Sequence, residues 1–345
     1  MFRKLSLALL CTLFCGVSAA EVFVAGFSAL GTEITVQLKA DNKEAAQRYV
    51  NIAEEETLRL EMLLSSYIEA SDISRLGQAD GKEIEVSSDT AEVLNRARDI
   101  ARDTEGAMDL TVGALVKLWS VDQSYRKVPT KEEIAAALPL VNWQKIEVRE
   151  ENGKYFARIG KGQEITVGAI GKGFIADKVA NRMRASGCTD ALLSLGGNII
   201  SLGTNAKNLP WSLGIQEPDQ KRGGYFAVVP SSDDSVVTSG NYEKYFIQDG
   251  VKYHHILNPK TGYPVPATLS SVTIIDKSST FADGMCTALY VFGWDKAIAY
   301  LKAHPEIAAV LVDDALKNVA VTENLRGKIR MTDGRFAVQY ISPKH

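Results

Sequence analysis

Apolar and polar residues change period along this chain, and each change marks an element. Thr32-Glu33-Ile34-Thr35-Val36-Gln37-Leu38 alternates with a period of two, which predicts a strand with one buried face. Over residues 44–64 the apolar positions recur at helical spacing, with Glu54-Glu55-Glu56 expected on a solvated face. Ser87-Ser88-Asp89 signals the start of a second helix running through Ala101. Thr130, with Glu133 three positions on, is a capping box that opens a third. From Lys145 the texture shifts to short runs. Strands are predicted at 146–150, 155–159 and 165–167, followed by a helix over 170–186. Further strands are predicted at 191–195, 199–202, 211–215, 226–229, 253–257 and 272–275. Helices at 279–292 and 295–303 precede closing strands at 308–312 and 319–321. Strands in meanders with helices grouped between them predict an α+β fold, not a doubly wound one. The expected architecture is mixed, largely antiparallel sheets with packed helices, in two interleaved lobes of a single domain over 21–345.

The first 20 residues read differently. Arg3 and Lys4 lead an apolar run from Leu5 to Val17, and Ser18-Ala19-Ala20 supplies small residues for cleavage. This is the layout of a secretory signal peptide, and the run is too short to span a bilayer. The expected location is therefore the periplasm. Lipidation of Cys15 would instead tether the chain to the inner membrane, but Phe14 stands where a lipoprotein signal carries a small residue. Without residues 1–20, 37 basic residues face 42 acidic ones, and neither a basic nucleic-acid surface nor a polybasic membrane patch is supported. Cys188 and Cys286 are the cysteines that remain, too few for a disulfide scaffold and without zinc-site spacing.

Four clusters carry glycine and polar residues beyond what a strand or helix requires. Gly168-Ala169-Ile170-Gly171-Lys172-Gly173 precedes a helix, where backbone N–H groups can approach a phosphate. Its spacing is neither a P-loop nor G-x-G-x-x-G, so a tight packing turn and an anion site stay equally open. Leu195-Gly196-Gly197-Asn198 reads locally as a hairpin turn. In His254-His255-Ile256-Leu257-Asn258-Pro259 the adjacent histidines fall on opposite faces of a strand. In Asp283-Gly284-Met285-Cys286-Thr287 a carboxylate and a hydroxyl stand one helical turn apart, a pair that could hold a hard cation such as Mg²⁺. The competing reading makes Asp283 a helix N-cap.

Taken together and in order, these clusters resemble the ApbE family, the FAD:protein FMN transferases. The resemblance runs from Phe27 to Phe336 and includes Leu30-Gly31-Thr32, Leu64-Ser65-Ser66-Tyr67, Asp72-Ile73-Ser74-Arg75, Gly106 to Gly113 and Thr238 to Tyr242. It implies Mg²⁺ held by Asp283, Thr287 and the backbone carbonyl of Ala169. It also implies FAD, as substrate, along Leu30, Tyr67, Ala107, Met108, Asp109, Lys172, His255, Ile256 and Cys286. Thr166 departs from the family, since many members carry Asp there; its hydroxyl can hydrogen-bond the dinucleotide but adds no charge. FMN would pass to a Ser or Thr hydroxyl of a membrane-associated flavin redox protein, with AMP released and His255 taking the acceptor proton. Two other readings use the same residues: a hydrolase splitting FAD to FMN and AMP, and an exported protein that binds FAD without reaction.

Overall fold

The computed structural model describes residues 8–9, 21–121, 123–220 and 223–344. β1 (Ala8–Leu9), β2 (Glu21–Ala29) and β3 (Thr32–Ala40) lead into α1 (Lys43–Leu64), α2 (Asp72–Gln78), β4 (Ile84–Val86) and α3 (Ser88–Asp103). The short helices α4 (Gly113–Trp119) and α5 (Lys131–Ala137) precede β5 (Glu147–Glu151) and β6 (Lys154–Arg158). Then come α6 (Gly171–Ala185), β7 (Ala191–Leu195), β8 (Asn198–Leu202), β9 (Trp211–Gln216), β10 (Tyr225–Ser231) and β11 (Ser235–Gly240). A hairpin of β12 (Tyr245–Gln248) and β13 (Val251–His254) is followed by β14 (Leu269–Asp276) and the long α7 (Ser279–Ala303). β15 (Ala308–Asp313), β16 (Asn318–Thr322), β17 (Arg330–Met331) and β18 (Ala337–Ile341) close the chain.

The main sheet has ten strands in the order β1-β2-β3-β7-β8-β11-β14-β15-β16-β18. Its pairs are antiparallel except β16 with β18. Smaller sheets are β17-β10-β9, β12-β13 and β4-β6-β5. This is the expected α+β fold. The period-two reading of β3 holds: Ile34, Val36 and Leu38 are buried, and Ile34 pairs with Leu195 across to β7. Helices α1, α6 and α7 pack on that face, burying Leu60, Leu64, Phe174 and Leu289 against Phe23 and Leu38. β15 is apolar on both faces because both are covered. Ala309 and Leu311 meet the helices, while Val310 and Val312 meet Trp211 and Phe226. A third cluster joins Leu115, Trp119 and Ile134 to Phe246 and Leu257 under the β12–β13 hairpin.

The caps behave as read. Ser87 accepts from the Thr90 N–H at 3.0 Å, and both bonds of the Thr130–Glu133 box form. The two helices expected around residue 293 meet at a break, where Gly293 takes φ 73° and ψ 175°. Other expectations need correction. Glu56 does not face solvent: it is buried between Arg59 (Oε1 to Nη2 2.7 Å) and Arg182 (Oε2 to Nη1 2.9 Å). Residues 165–167 join no sheet, since the Thr166 N–H donates to the Leu110 carbonyl at 2.9 Å. The strand expected at 253–257 ends at His254, and Leu257 makes a lone bridge to Pro264. Of the expected signal peptide only Ala8–Leu9 is described, paired with Val24 and Phe23; the cleavage site and Cys15 lie outside the described residues. Among the described residues no helix is long and apolar enough to cross a membrane.

Candidate active site

Two helix starts meet at the centre of the site. The α6 N-terminus follows the glycine cluster, and the Gly173 N–H donates to Asp283 Oδ2 of α7 at 2.8 Å. A Cβ on Gly173 would lie 2.7 Å from the Cβ of Asp283, so only glycine lets the two helices approach this closely. Asp177, one turn further along α6, crosses to α7 as its cap. Its carboxylate accepts from the N–H groups of Ser279 (2.8 Å) and Thr280 (2.9 Å) and from the Thr280 hydroxyl (2.6 Å).

That arrangement settles the role of Asp283 within the helix. The N-cap of α7 is Ser278, whose side chain accepts from the Phe281 N–H at 3.2 Å. Asp283 therefore lies inside the helix and caps nothing. Its carboxyl is buried, and burial pushes its pKa up. Lys172, the Gly173 N–H and Asn198 pull the other way and favour the ionised form. Thr287 follows one turn later, with its hydroxyl 3.4 Å from the Asp283 carbonyl. These are oxygen donors, as is the carbonyl of the half-buried Ala169. Among the described residues no group of three or more His, Cys, Asp or Glu could hold a metal ion. One buried carboxylate with neutral oxygens suits Mg²⁺, which keeps several waters and shares its shell with substrate phosphates. The residues present fit that ion.

The other predicted residues gather round this point in different ways. Lys172 acts electrostatically on Asp283, Cys286 and His255 alike, which places all three within its field. Met108 and the Cβ-free face of Gly284 pack together, bringing the 107–109 segment onto the first turns of α7. Thr166 is tied to that segment through Leu110. Its hydroxyl accepts from the Gly168 N–H at 3.3 Å and so shapes the glycine loop. Asp109 is turned inward: its carboxylate accepts from the Thr111 N–H (2.8 Å), the Thr111 hydroxyl (2.6 Å) and the Trp143 N–H (3.0 Å). Burial raises its pKa against those three bonds.

Leu30 sits in the β2–β3 turn with φ 56°, an uncommon conformation for a leucine, and its N–H donates to Glu61 Oε1 at 2.9 Å. That bond draws the turn towards the end of α1, just before Tyr67. The Tyr67 ring is 72% exposed, which removes core packing as its role and leaves an accessible aromatic face. Ile256 and Cys286 are buried, and the Cys286 thiol lies 3.1 Å from the Val237 carbonyl. Its pKa is pushed up by burial and then by Asp283. Cys188 and Cys286 are both free.

The adjacent histidines separate, although the strand ends at His254 and His255 lies just beyond it. His254 is buried, with Nε2 3.0 Å from the Val265 carbonyl and Nδ1 accepting from the Ile256 N–H at 3.3 Å. His255 is half-buried, and its Nδ1 lies 3.1 Å from the Lys244 carbonyl. A carbonyl only accepts, so Nδ1 carries the hydrogen and Nε2 keeps its lone pair. Burial, reinforced by Lys244, His254 and Lys172, draws the His255 pKa down to about 4. The ring is neutral at pH 7.

A sequence profile described as the ApbE family matches residues 30–311. The chain belongs to the ApbE family. It is accordingly an enzyme of the transferase class. The FAD:protein FMN transferase of Treponema pallidum (strain Nichols) is 32% identical over 325 residues, covering 90% of this chain and 89% of that relative. The ApbE protein of Thermotoga maritima superposes with a TM-score of 0.83 at 27% identity, over 90% of this chain and 100% of that one. The flavinyl transferase ApbE of Pseudomonas stutzeri superposes with a TM-score of 0.75 at 28% identity, over 85% and 92% respectively. Three residues of this ApbE-family site escaped the reading of the sequence by role. Asp177 and Glu61 lie in ordinary helical stretches and act across to other elements, for which the sequence carries no local signal. Asn198 was visible only as the end of a hairpin turn.

Proposed function

We propose that this chain transfers FMN from FAD to a Ser or Thr hydroxyl of an acceptor protein and releases AMP. The observation that carries the reading is the placement of Asp283: a buried carboxylate inside a helix, relieved of capping and pinned by a backbone N–H from the glycine loop. Asp283, Thr287 and the Ala169 carbonyl would hold Mg²⁺, which when bound neutralises pyrophosphate oxygens and the phosphate of departing AMP. FAD would lie along Leu30, Tyr67, the 107–109 segment, Thr166, Lys172, His255, Ile256 and Cys286. Tyr67 offers its exposed ring for stacking on a flat heterocycle. Lys172 supplies a point charge near the phosphates.

The reaction is a phosphoryl transfer, so the protein mainly positions groups and balances charge. The acceptor oxygen forms a bond to the FMN-side phosphorus. The bond from that phosphorus to the bridging oxygen breaks, and AMP leaves with that oxygen. Neutral His255, with Nε2 unprotonated, takes the acceptor proton. The acceptors would be subunits of membrane-associated flavin redox complexes, met in the periplasm after removal of residues 1–20.

The test is incubation with FAD, Mg²⁺ and an acceptor domain carrying an accessible Thr, followed by intact-mass measurement. One FMN should be added, and one AMP released, per acceptor. Changing that Thr to Val should abolish the adduct, because a methyl replaces the attacking hydroxyl. Rapid AMP release that ignores the acceptor, with no gain in its mass, would identify a hydrolase instead.

A further inference from the structure

The hairpin between β7 and β8 turns on Gly196 (φ 59°) and Gly197 (φ 106°), both in backbone conformations that glycine adopts without strain. Those two residues satisfy the turn. Asn198, which follows them and pairs with Leu195, contributes nothing the turn requires. It is 0% exposed, and neither its amide oxygen nor its amide nitrogen has a hydrogen-bond partner among the described residues. A buried amide left unpaired is unfavourable to folding, and an apolar side chain of the same size would avoid that loss. Folding therefore gives no reason for asparagine here.

Its neighbours give one. β8 packs against α6 and α7, the two helices whose starts meet at Gly173 and Asp283. The Asn198 amide interacts with the Asp283 carboxylate. Gly173 already holds Oδ2 of that carboxylate from the α6 side. We infer that Asn198 is a positioning residue for the cation site: its amide N–H closes onto Asp283 from the β8 side and fixes the carboxylate for metal binding. This rests on the assignment of Asp283 as a cation ligand made above. Two fixed donors from different elements would then hold one ligand, the arrangement by which neighbours of metal ligands set orientation and affinity. The glycines of the turn acquire a second purpose on this reading. Thr32 lies 2.7 Å from where a Gly196 Cβ would stand, so the close seating of the β7–β8 turn against β3 sets the depth at which Asn198 is delivered.

Mn²⁺ serves as the probe, titrated into metal-free protein in the presence of FAD and followed by electron paramagnetic resonance of the free ion. Asn198→Leu should weaken Mn²⁺ binding about 10- to 100-fold, the usual effect of losing a partner of a metal ligand. Its metal-free melting temperature should be unchanged or higher, since an unmade amide has been removed. Asn198→Asp provides a second variant. It should melt lower without metal and recover with Mn²⁺, because a second carboxylate beside the first is relieved only by a cation. If Asn198→Leu binds Mn²⁺ as the unaltered chain does, while Asp283→Ala does not bind it, the positioning role fails and the cation site stands. If Asp283→Ala also binds normally, the cation site itself is wrong. Should Asn198→Leu fail to fold, an Asn198→Asp protein that melts lower and is not rescued by Mn²⁺ overturns the proposal.

Discussion

At the scale of single residues, the proposed mechanism rests on one buried charge and one neutral ring. Asp283→Ala removes the proposed charged ligand, and a loss of several kcal/mol of charge stabilisation corresponds to about a 10³-fold fall in FMN transfer. Thr287→Ala should cost about tenfold, the scale of a single neutral contact. Transfer rates at limiting Mg²⁺ rank the two, and normal activity of Asp283→Ala would refute the assignment. His255 adds a pH dependence. Its folded pKa lies near 4, below the roughly 6.5 of an unfolded histidine. Between those values the unfolded chain binds a proton that the native chain lacks, so this contribution to stability is complete above about pH 6.5 and is lost as the pH falls to about 4. His254 is shifted in the same direction by burial. Asp283, raised by burial, acts in the opposite sense above the ordinary carboxylate range. Urea midpoints of the metal-free protein at pH 7 and pH 4.5 should therefore differ less in His255→Gln than in the unaltered chain. Across pH 6–8 that histidine should leave the transfer rate flat.

At the scale of elements, the joint between α6 and α7 matters most. Asp177→Ala should lower stability by about 1–2 kcal/mol, as for a lost helix cap, or several degrees in melting temperature. Gly173→Ala should do at least as much by forcing the helix starts apart, and it should weaken FAD retention as well. A Gly173→Ala protein that melts normally would contradict the close packing described here. How far these elements could be read from the sequence follows from how local their signals are. α3 and α5 were legible because their caps lie within a few residues of the helix start, and α1 because its apolar periodicity runs the length of the helix. The break at Gly293 was legible because glycine and the change of pattern coincide. β12, with Tyr245, Ile247 and Gln248 exposed, has no buried alternation beyond Phe246, and its pairing is settled by β13. β18 joins β16 in parallel through a mostly exposed strand, a partnership that no local pattern encodes. The candidate site divides in the same way. The glycine loop, Asp283, Thr287 and His255 stand in compact motifs, whereas Asp177 and Glu61 act through contacts 102 and 31 residues away in sequence.

For the whole molecule, the arrangement predicts selectivity for the complete dinucleotide. The proposed contacts reach from the exposed ring of Tyr67 to the buried carboxylate of Asp283, so the purified chain should bind FAD more tightly than FMN. Fluorescence quenching titrations compare the two directly, and equal affinities would count against the proposed span. The covalent state of the chain should matter little. Cys188 and Cys286 are free and buried, and burial raises the thiol pKa of both, that of Cys188 to about 11. Melting curves recorded with and without a thiol reductant should coincide.

Those two thiols have a wider consequence for a protein that handles a redox-active substrate. Raised pKa values keep them as thiols, so they make poor nucleophiles towards disulfides or oxidised flavin. Among the described residues neither an oxidising nor a reducing compartment has a disulfide to make or break. On the proposed function, electrons carried by the flavin would find no disulfide acceptor among the described residues, and the cargo would be handed on in whichever oxidation state it arrived.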